Sequence, residues 1–428
     1  MTDGVDWNEL ARPVGRWAGR GARIEDQRRL PGGASKQTWS FDAVAPDGTR
    51  TELILRRDPP GRPSGPGAID REAAALTLAH AAGLPVPELL FTSRGAAGLG
   101  SAGMIMRRVP GETIARKILR DEQYEQARAL VVRQLGQFAA GLHGLADKPD
   151  PSFFPTPDPL ASLREQLDAF AADGQRSEVF ELAHAELAAS PPPAREPVLL
   201  HGDFRLGNLI VGPDGLAAVL DWELTHLGNP AEDLGWLCVK AWRFGAAPPV
   251  AGLGSREELL AAYRAAGGAD ISLAELRWWE ILGTLRWGVI CMTQAWVHLS
   301  GAYQSVELAA IGRRVCEQEW DLLLLLEPAA AAAAAARRPR PSGEPAGAPA
   351  PCGRPTATEL LAAVRGYLTD QVMPATEGQL AFHARVAANV LAIVARELEL
   401  GPVSDELSLA DAVAARLAVA NPRYFGPG

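Results

Sequence analysis

Cysteine is scarce: four residues in 428, at Cys238, Cys291, Cys316 and Cys352, with no pair spaced as metal ligands or as a redox couple. That spacing excludes a zinc ribbon and a disulfide scaffold, and predicts three small buried apolar groups plus Cys352 exposed in a linker. Basic charge is also in deficit. Lys and Arg number 42 against 51 Asp and Glu, giving a net charge of −9 and a pI near 5.4. This argues against a nucleic-acid partner, although locally clustered arginines could still meet an anionic substrate. The opening MTDGVDWNEL has neither a basic segment nor an apolar core, so no secretory leader is expected. Long unbroken apolar runs are missing too. The stretch ILGTLRWGVICMTQAWVHL at 281–299 carries Arg286, Gln294 and His298 and is predicted to be a buried helix rather than a membrane span. A cytoplasmic protein with no membrane attachment is the expectation.

What is present divides the chain. Residues 328–355, PAAAAAAAARRPRPSGEPAGAPAPCGRP, hold almost no bulky apolar side chain and cannot build a core. They are expected to be a disordered Ala/Pro/Gly linker crossed by no core, with the alanine run able to prolong the preceding helix by a turn or two. Beyond it, TATELLAAVRGYLTDQV and HARVAANVLAIVARELEL repeat apolar residues at helical spacing, predicting a small all-α domain at 356–428. Residues 22–57 alternate as strands do, with PDG at 46–48 as a hairpin turn. IDREAAALTLAHAAG at 69–83 reads as a helix capped by Asp70 and stopped by Gly83, and MIMRRV at 104–109 as a strand. The class is α+β: a strand-rich N-lobe with one helix at 1–108, then a larger helical C-lobe at 109–327.

The chemistry concentrates in HGDFRLGNLI at 201–210 and LDWE at 220–223. GPDG at 212–215 is a turn signal, so LIV and LAAVL should pair as antiparallel strands. With the turn centred between Asp214 and Gly215, Asn208 and Asp221 sit opposite each other at the open end, and Asp203 lies on the loop entering it. Few protein oxygens, completed by water and phosphate, are how Mg²⁺ is held. Singly, Asn208 and Asp221 read as well as strand caps, and His201 as a satisfied core histidine. Together, D-x-x-x-x-N followed by D beyond a hairpin matches the catalytic loop and metal aspartate of kinases.

The motifs HGDFRLGN, LDWE and GNPAEDLGW resemble the aminoglycoside phosphotransferase-like (choline kinase-like) family of small-molecule kinases, over roughly residues 20–325. RLPGGASKQTW, LILRR, DREAAAL and MIMRRVPGE are weaker companions in the expected order. The nearest members are those associated with acyl-CoA dehydrogenases, and the tail, with RVAANVLAIVAREL and VANPRYF, resembles a helical domain of unknown function found beside them. The resemblance implies a bilobal protein-kinase-like fold using ATP and Mg²⁺. It makes Asp203 the group that orients and deprotonates the acceptor, with Asn208 and Asp221 as metal ligands, and gives supporting roles to His201, Arg205 and Asp233. Nucleotide would meet Gly32, Gly33, Ser35, Lys36, Arg56, Glu72 and Met106.

Departures narrow the substrate. Arg56 stands where the commoner residue is Lys, keeping the charge but changing its geometry. DWE replaces DFG, the loop reads HGD rather than HRD, and no activation segment ends in APE, so a protein substrate is not expected. Trp236, Trp242, Trp278, Trp279, Trp287, Trp296 and Trp320 are expected mostly as core. Arg107, Arg108 and Arg205 are candidates to meet a phosphate-bearing acceptor such as a CoA thioester. The expected acceptor is a small molecule: a hydroxyacyl-CoA first, an aminoglycoside or amino alcohol second. Residues 356–428 would recruit an acyl-CoA dehydrogenase or another protein. The reading of another class is a catalytically silent kinase-fold scaffold.

Overall fold

The alternating N-terminal segments become β1 (Arg23–Leu30), β2 (Gln37–Val44) and β3 (Arg50–Arg57). With β4 (Leu89–Arg94) and β5 (Ala102–Arg107) they form one antiparallel sheet of order β1-β2-β3-β5-β4 in a computed structural model of the chain. The structure describes residues 4–30, 36–59, 61, 64–95, 98–146, 149–303, 305–339, 356–404 and 406–425. The PDG turn joins β2 to β3, with Gly48 at φ 89° and the Ala45 amide donating to the Thr49 carbonyl at 2.9 Å. Trp39, Phe41 and Ala43 of β2 and Leu53 and Leu55 of β3 share a core with Leu10 and Val14. The latter two come from a helix the sequence pattern does not announce, Trp7–Val14. Its one clear signal is Asp6, which caps the Asn8 and Glu9 amides at 3.0 Å. The small lobe therefore has two helices, not one.

On the second helix, Asp70 is not the cap. The helix Ala68–Ala81 starts after Gly67, whose φ of 71° turns the chain without a side-chain cap. Asp70 lies within the first turn and pairs with Arg94 at 2.9 Å. Gly83, at φ 75°, ends the helix. Ile69 of this helix, Met104 and Met106 form a separate apolar cluster, and that packing is where Met106 of β5 is found.

The chain divides into two units. The first holds Met1–Pro157, Pro193–Cys238 and Trp242–Leu276, and so contains both the sheet and the HGDFRLGN loop. The second holds Asp158–Pro192, Val239–Ala241 and Arg277–Gly428 and is helical. Within it the stretch expected as a membrane-excluded helix lies on Leu273–Leu299, with Leu282, Leu285, Val289 and Met292 buried. Among the described residues, Gly378–Leu400 is the one helix long and apolar enough to cross a membrane; it packs against the helices Ala357–Tyr367 and Val306–Gly312. Cys238, Cys291 and Cys316 are buried, and among the described residues none is in a disulfide.

Two expectations about the linker need correction. Residues 328–337 form the helix Pro328–Arg337, because proline suits a first helical turn and alanine has the highest helix propensity. Ala331 and Ala334 bury against the helix Leu409–Ala420. Packing also crosses from helix Val315–Leu326 to the tail, where Trp320 meets Phe425 at 5.1 Å between ring centroids and Tyr424 donates to Asp321 at 2.7 Å. Residues 340–355, Cys352 among them, lie outside the described residues.

Candidate active site

The loop 201–208 leaves β6 (Val198–Leu200), which pairs with β9 (His226–Gly228). Gly202 has φ +80°, and a Cβ there would lie 2.2 Å from the Leu224 carbonyl oxygen, so only glycine lets the chain pass from His201 to Asp203. Two residues hold this turn. Asp233 accepts from the His201 amide at 2.8 Å and the Gly202 amide at 2.9 Å. His201 lies against the Leu220 carbonyl through Nε2 at 2.9 Å and receives the Asp203 amide at Nδ1, 3.2 Å away. A carbonyl only accepts, so Nε2 carries the proton and the ring is neutral; burial pushes its pKa down, in agreement.

Asp233 is itself held from behind. His143 Nε2 lies 3.3 Å from its carboxylate, and His143 Nδ1 lies 2.9 Å from the Tyr263 hydroxyl. A carboxylate accepts only, so Nε2 donates and Nδ1 accepts the hydrogen bond from the tyrosine hydroxyl. Burial raises Tyr263 to about 12, which keeps that hydroxyl a donor. Burial would raise Asp233 as well, but the hydrogen bonds it accepts from His143 and from the loop amide of His201 hold it below its ordinary value. A depressed carboxyl stabilises the fold fully above its unfolded pKa, ordinarily 3.8, and the contribution fades as pH falls through the lower folded value. Asp233→Asn should therefore lose about 1.5–3 kcal/mol at pH 7, the scale of hydrogen bonds to a charged group. Denaturant titration at pH 7 and again near pH 3 checks it: the deficit should shrink at the lower pH.

Asp203 is approached by three side chains. Asn208 Nδ2 donates to Oδ2 at 2.7 Å, Trp236 Nε1 to Oδ1 at 2.8 Å, and Arg205 Nε reaches both oxygens at 2.9 and 3.0 Å. The Arg205 guanidinium also lies over the Trp242 ring, 4.7 Å from its centroid.

The hairpin differs from the expected register. β7 (Leu209–Gly212) and β8 (Gly215–Val219) pair Gly212 with Gly215 but Leu209 with Val219, so Ala217 is an extra residue bulging from the ladder. Leu220, not Asp221, then faces Asn208, and its amide donates to the Asn208 carbonyl at 2.8 Å. Asp221 follows in a left-handed conformation, φ 69°, which turns its side chain out of the strand alternation.

That turn brings Asp221 to Arg56. Arg56 donates to Glu72 at 2.9 Å and to Asp221 at 2.6 Å, across 165 residues of sequence. Burial would lower the guanidinium, but Asp221 and Glu72 outweigh it and hold it above its ordinary value. Burial would likewise raise Asp221, and Arg56 brings it below the usual carboxylate range. Glu72 stays raised because its burial outweighs Arg56. Trp222 packs behind, its ring 4.7 Å from that of His201.

Other expected residues lie elsewhere. Lys36 is not extended toward a phosphate site: it is buried against Asp58 at 2.7 Å and Ser64 at 2.8 Å, because a desolvated ammonium requires a partner. Arg107 pairs with Glu88, and Arg108 with Glu52. Gly32, Gly33 and Ser35 lie outside the described residues. His143, Tyr263 and Trp236 were missed. Trp236 had a signal, since GNPAEDLGW sets it three residues after Asp233 on one helix, Ala231–Cys238. His143 had none.

Among the described residues no group of three or more His, Cys, Asp and Glu could hold a metal ion. The donors that fit Mg²⁺ are the Asp221 carboxylate and the Asn208 amide oxygen, whose amide nitrogen is committed to Asp203. Hard oxygens in small number suit that ion.

A strand-borne cation tied to a helix glutamate and to an aspartate beyond a D-x-x-x-x-N loop defines a kinase-like phosphotransferase of α+β fold. The Phosphotransferase enzyme family profile matches residues 26–279, and the chain belongs to that family. Residues 374–410 match a Domain of unknown function (DUF6285). Acyl-CoA dehydrogenase family member 11 of Gallus gallus is 32% identical over 200 residues, 43% of this chain and 24% of its own length. Acyl-CoA dehydrogenase family member 10 of Mus musculus is 29% identical over 200 residues, 44% of this chain and 18% of its own. The chain thus spans a quarter or less of these relatives. A Ralstonia eutropha protein assigned as an aminoglycoside phosphotransferase superposes with TM-score 0.55 at 20% identity, covering 75% of this chain and 98% of that one. The GDP complex of aminoglycoside 2'-phosphotransferase-IIIa gives TM-score 0.52 at 14% identity, covering 73% and 98%. At these identities the likeness is one of fold.

Proposed function

We propose that the chain transfers the γ-phosphoryl group of ATP to a hydroxyl of a small molecule, with a hydroxyacyl-CoA as the first class of acceptor. The observation that carries this is the Arg56 bridge, which joins Glu72 of the N-lobe helix to Asp221 beyond the hairpin. Such a cation suits the phosphates of a nucleotide, and Asp203 suits the acceptor. The acceptor oxygen loses its proton to Asp203 as it bonds to phosphorus, and ADP leaves with the electrons of the broken P–O bond. Mg²⁺ held by Asn208 and Asp221 would neutralise charge on the phosphates. Positioning and charge neutralisation are most of what this reaction asks of a protein. The acyl-CoA class is supported by the similarity to acyl-CoA dehydrogenase family members. An acyl-CoA dehydrogenase is, on the same ground, the partner we propose for residues 356–428.

The test is ATP consumption with Mg²⁺ over hydroxyacyl-CoAs, aminoglycosides and amino alcohols. Turnover with a hydroxyacyl-CoA is expected. Turnover only with an aminoglycoside or amino alcohol overturns the acceptor class, and tight Mg·ATP binding with no acceptor at all favours a scaffold. Asp221→Asn should weaken Mg·ATP binding and turnover together, because it removes the carboxylate facing the cation. Calorimetry with and without Mg²⁺ checks it: an unchanged Mg²⁺ dependence removes Asp221 from the metal site.

A further inference from the structure

Of the three donors on Asp203, two have obvious alternative work. Arg205 is a cation that also lies on the Trp242 face and could serve a phosphate, and Asn208 is one of the two proposed Mg²⁺ donors. Trp236 has neither option. It is 4% exposed, neutral, and donates one N–H at 2.8 Å to Oδ1. Its ring packs on Trp242 at 5.4 Å between centroids, and Trp242 in turn carries Arg205 on its face. Three residues earlier on the same helix, Asp233 holds the backbone of the loop at the His201 and Gly202 amides. One turn of the helix Ala231–Cys238 therefore grips the loop twice, by its main chain through Asp233 and by its carboxylate through Trp236.

We propose that Trp236 is a positioning residue for Asp203. Its indole N–H, bonded to Oδ1, fixes the rotation of the carboxylate. A buried indole requires a partner for its N–H, and a phenylalanine would keep an aromatic ring there without supplying a donor. The proposal rests on Asp203 being the group that takes the acceptor's proton.

Trp236→Phe tests it, because an apolar aromatic ring stays while the N–H donor goes with the five-membered ring. Mg·ATP affinity and the far-ultraviolet circular dichroism should hold. The kcat should fall roughly 10-fold to 10²-fold, short of the full effect of losing a general base. The KM for the acceptor should hold, so that the loss sits in kcat. A second readout needs no turnover. The indole ¹H–¹⁵N resonance of Trp236 should move upfield in Asp203→Asn, at unchanged pH, because its acceptor has lost its charge. A lower kcat accompanied by a raised KM or weakened Mg·ATP binding would assign Trp236 to packing and overturn the proposal, as would an indole resonance blind to Asp203→Asn. If no acceptor is turned over, or Trp236→Phe does not fold, the indole resonance decides alone. A resonance that answers to Asp203→Asn without phosphoryl transfer would sink the phosphotransferase reading and leave the Trp236–Asp203 coupling standing.

Discussion

Asp203→Asn is expected to lower phosphoryl transfer by roughly 10²-fold or more while leaving Mg·ATP affinity nearly unchanged. The substitution keeps size and polarity but removes the carboxylate we propose takes the acceptor's proton. In the proposed function nucleotide binding rests on other groups, Arg56, Asn208 and Asp221: Arg56 ties Asp221 to Glu72 without Asp203, while the Asn208 amide nitrogen bonds Asp203. Arg205 loses its acidic partner but keeps the Trp242 face at 4.7 Å, so the loop is not left with a stranded buried cation. Calorimetric binding beside turnover with the acceptor found by screening separates the two effects. Unchanged turnover would remove Asp203 from the chemistry, and a parallel loss of nucleotide affinity would show that the loop had collapsed.

The second large effect is expected from truncation. A fragment ending at residue 339 should lose the cooperative fold of the second unit. Three acids on helix Val315–Leu326 are buried and draw partners from the tail: Glu317 from Asn421 at 3.0 Å, Glu319 from Arg416 at 2.9 Å, and Asp321 from Tyr424 at 2.7 Å. Burial already pushes the Asp321 carboxyl above its ordinary value despite Lys240 at 3.1 Å. Each buried polar group left unpaired costs about 1–3 kcal/mol, and charged groups more. Exposure of Trp320, Ala331 and Ala334 adds to that. Together these losses rival the whole of a domain's stability, about 5–15 kcal/mol. Thermal unfolding of the fragment followed by circular dichroism, with dye binding to exposed apolar surface, tests this. A sharp melt matching that of the full chain would mean the tail is an independent appendage.

Local signals in the sequence settled a good deal. The PDG turn, the stop at Gly83 and the apolar alternation of β2 and β3 act over a few residues and appear where their physics places them. Strand alternation also separates the two arginines of LILRR, sending Arg56 to Glu72 and Arg57 to the face of Trp39 at 4.8 Å. The motif HGDFRLGN with LDWE was enough to bring Asp203, Asn208 and Asp221 under suspicion as a group. Tertiary structure decided the rest. The bulge at Ala217 moved Leu220 opposite Asn208, and the left-handed turn at Asp221 delivered its carboxylate to Arg56. Lys36 went to Asp58, His143 reached Asp233 from 90 residues away, and Trp236 gave its N–H to Asp203. The alanine run found a surface to bury against, on a helix that follows it by some seventy residues. Propensity and periodicity are properties of neighbours along the chain, whereas the partner of a buried charge or indole is set by which groups the folded core leaves without water, and no short stretch of sequence contains that information.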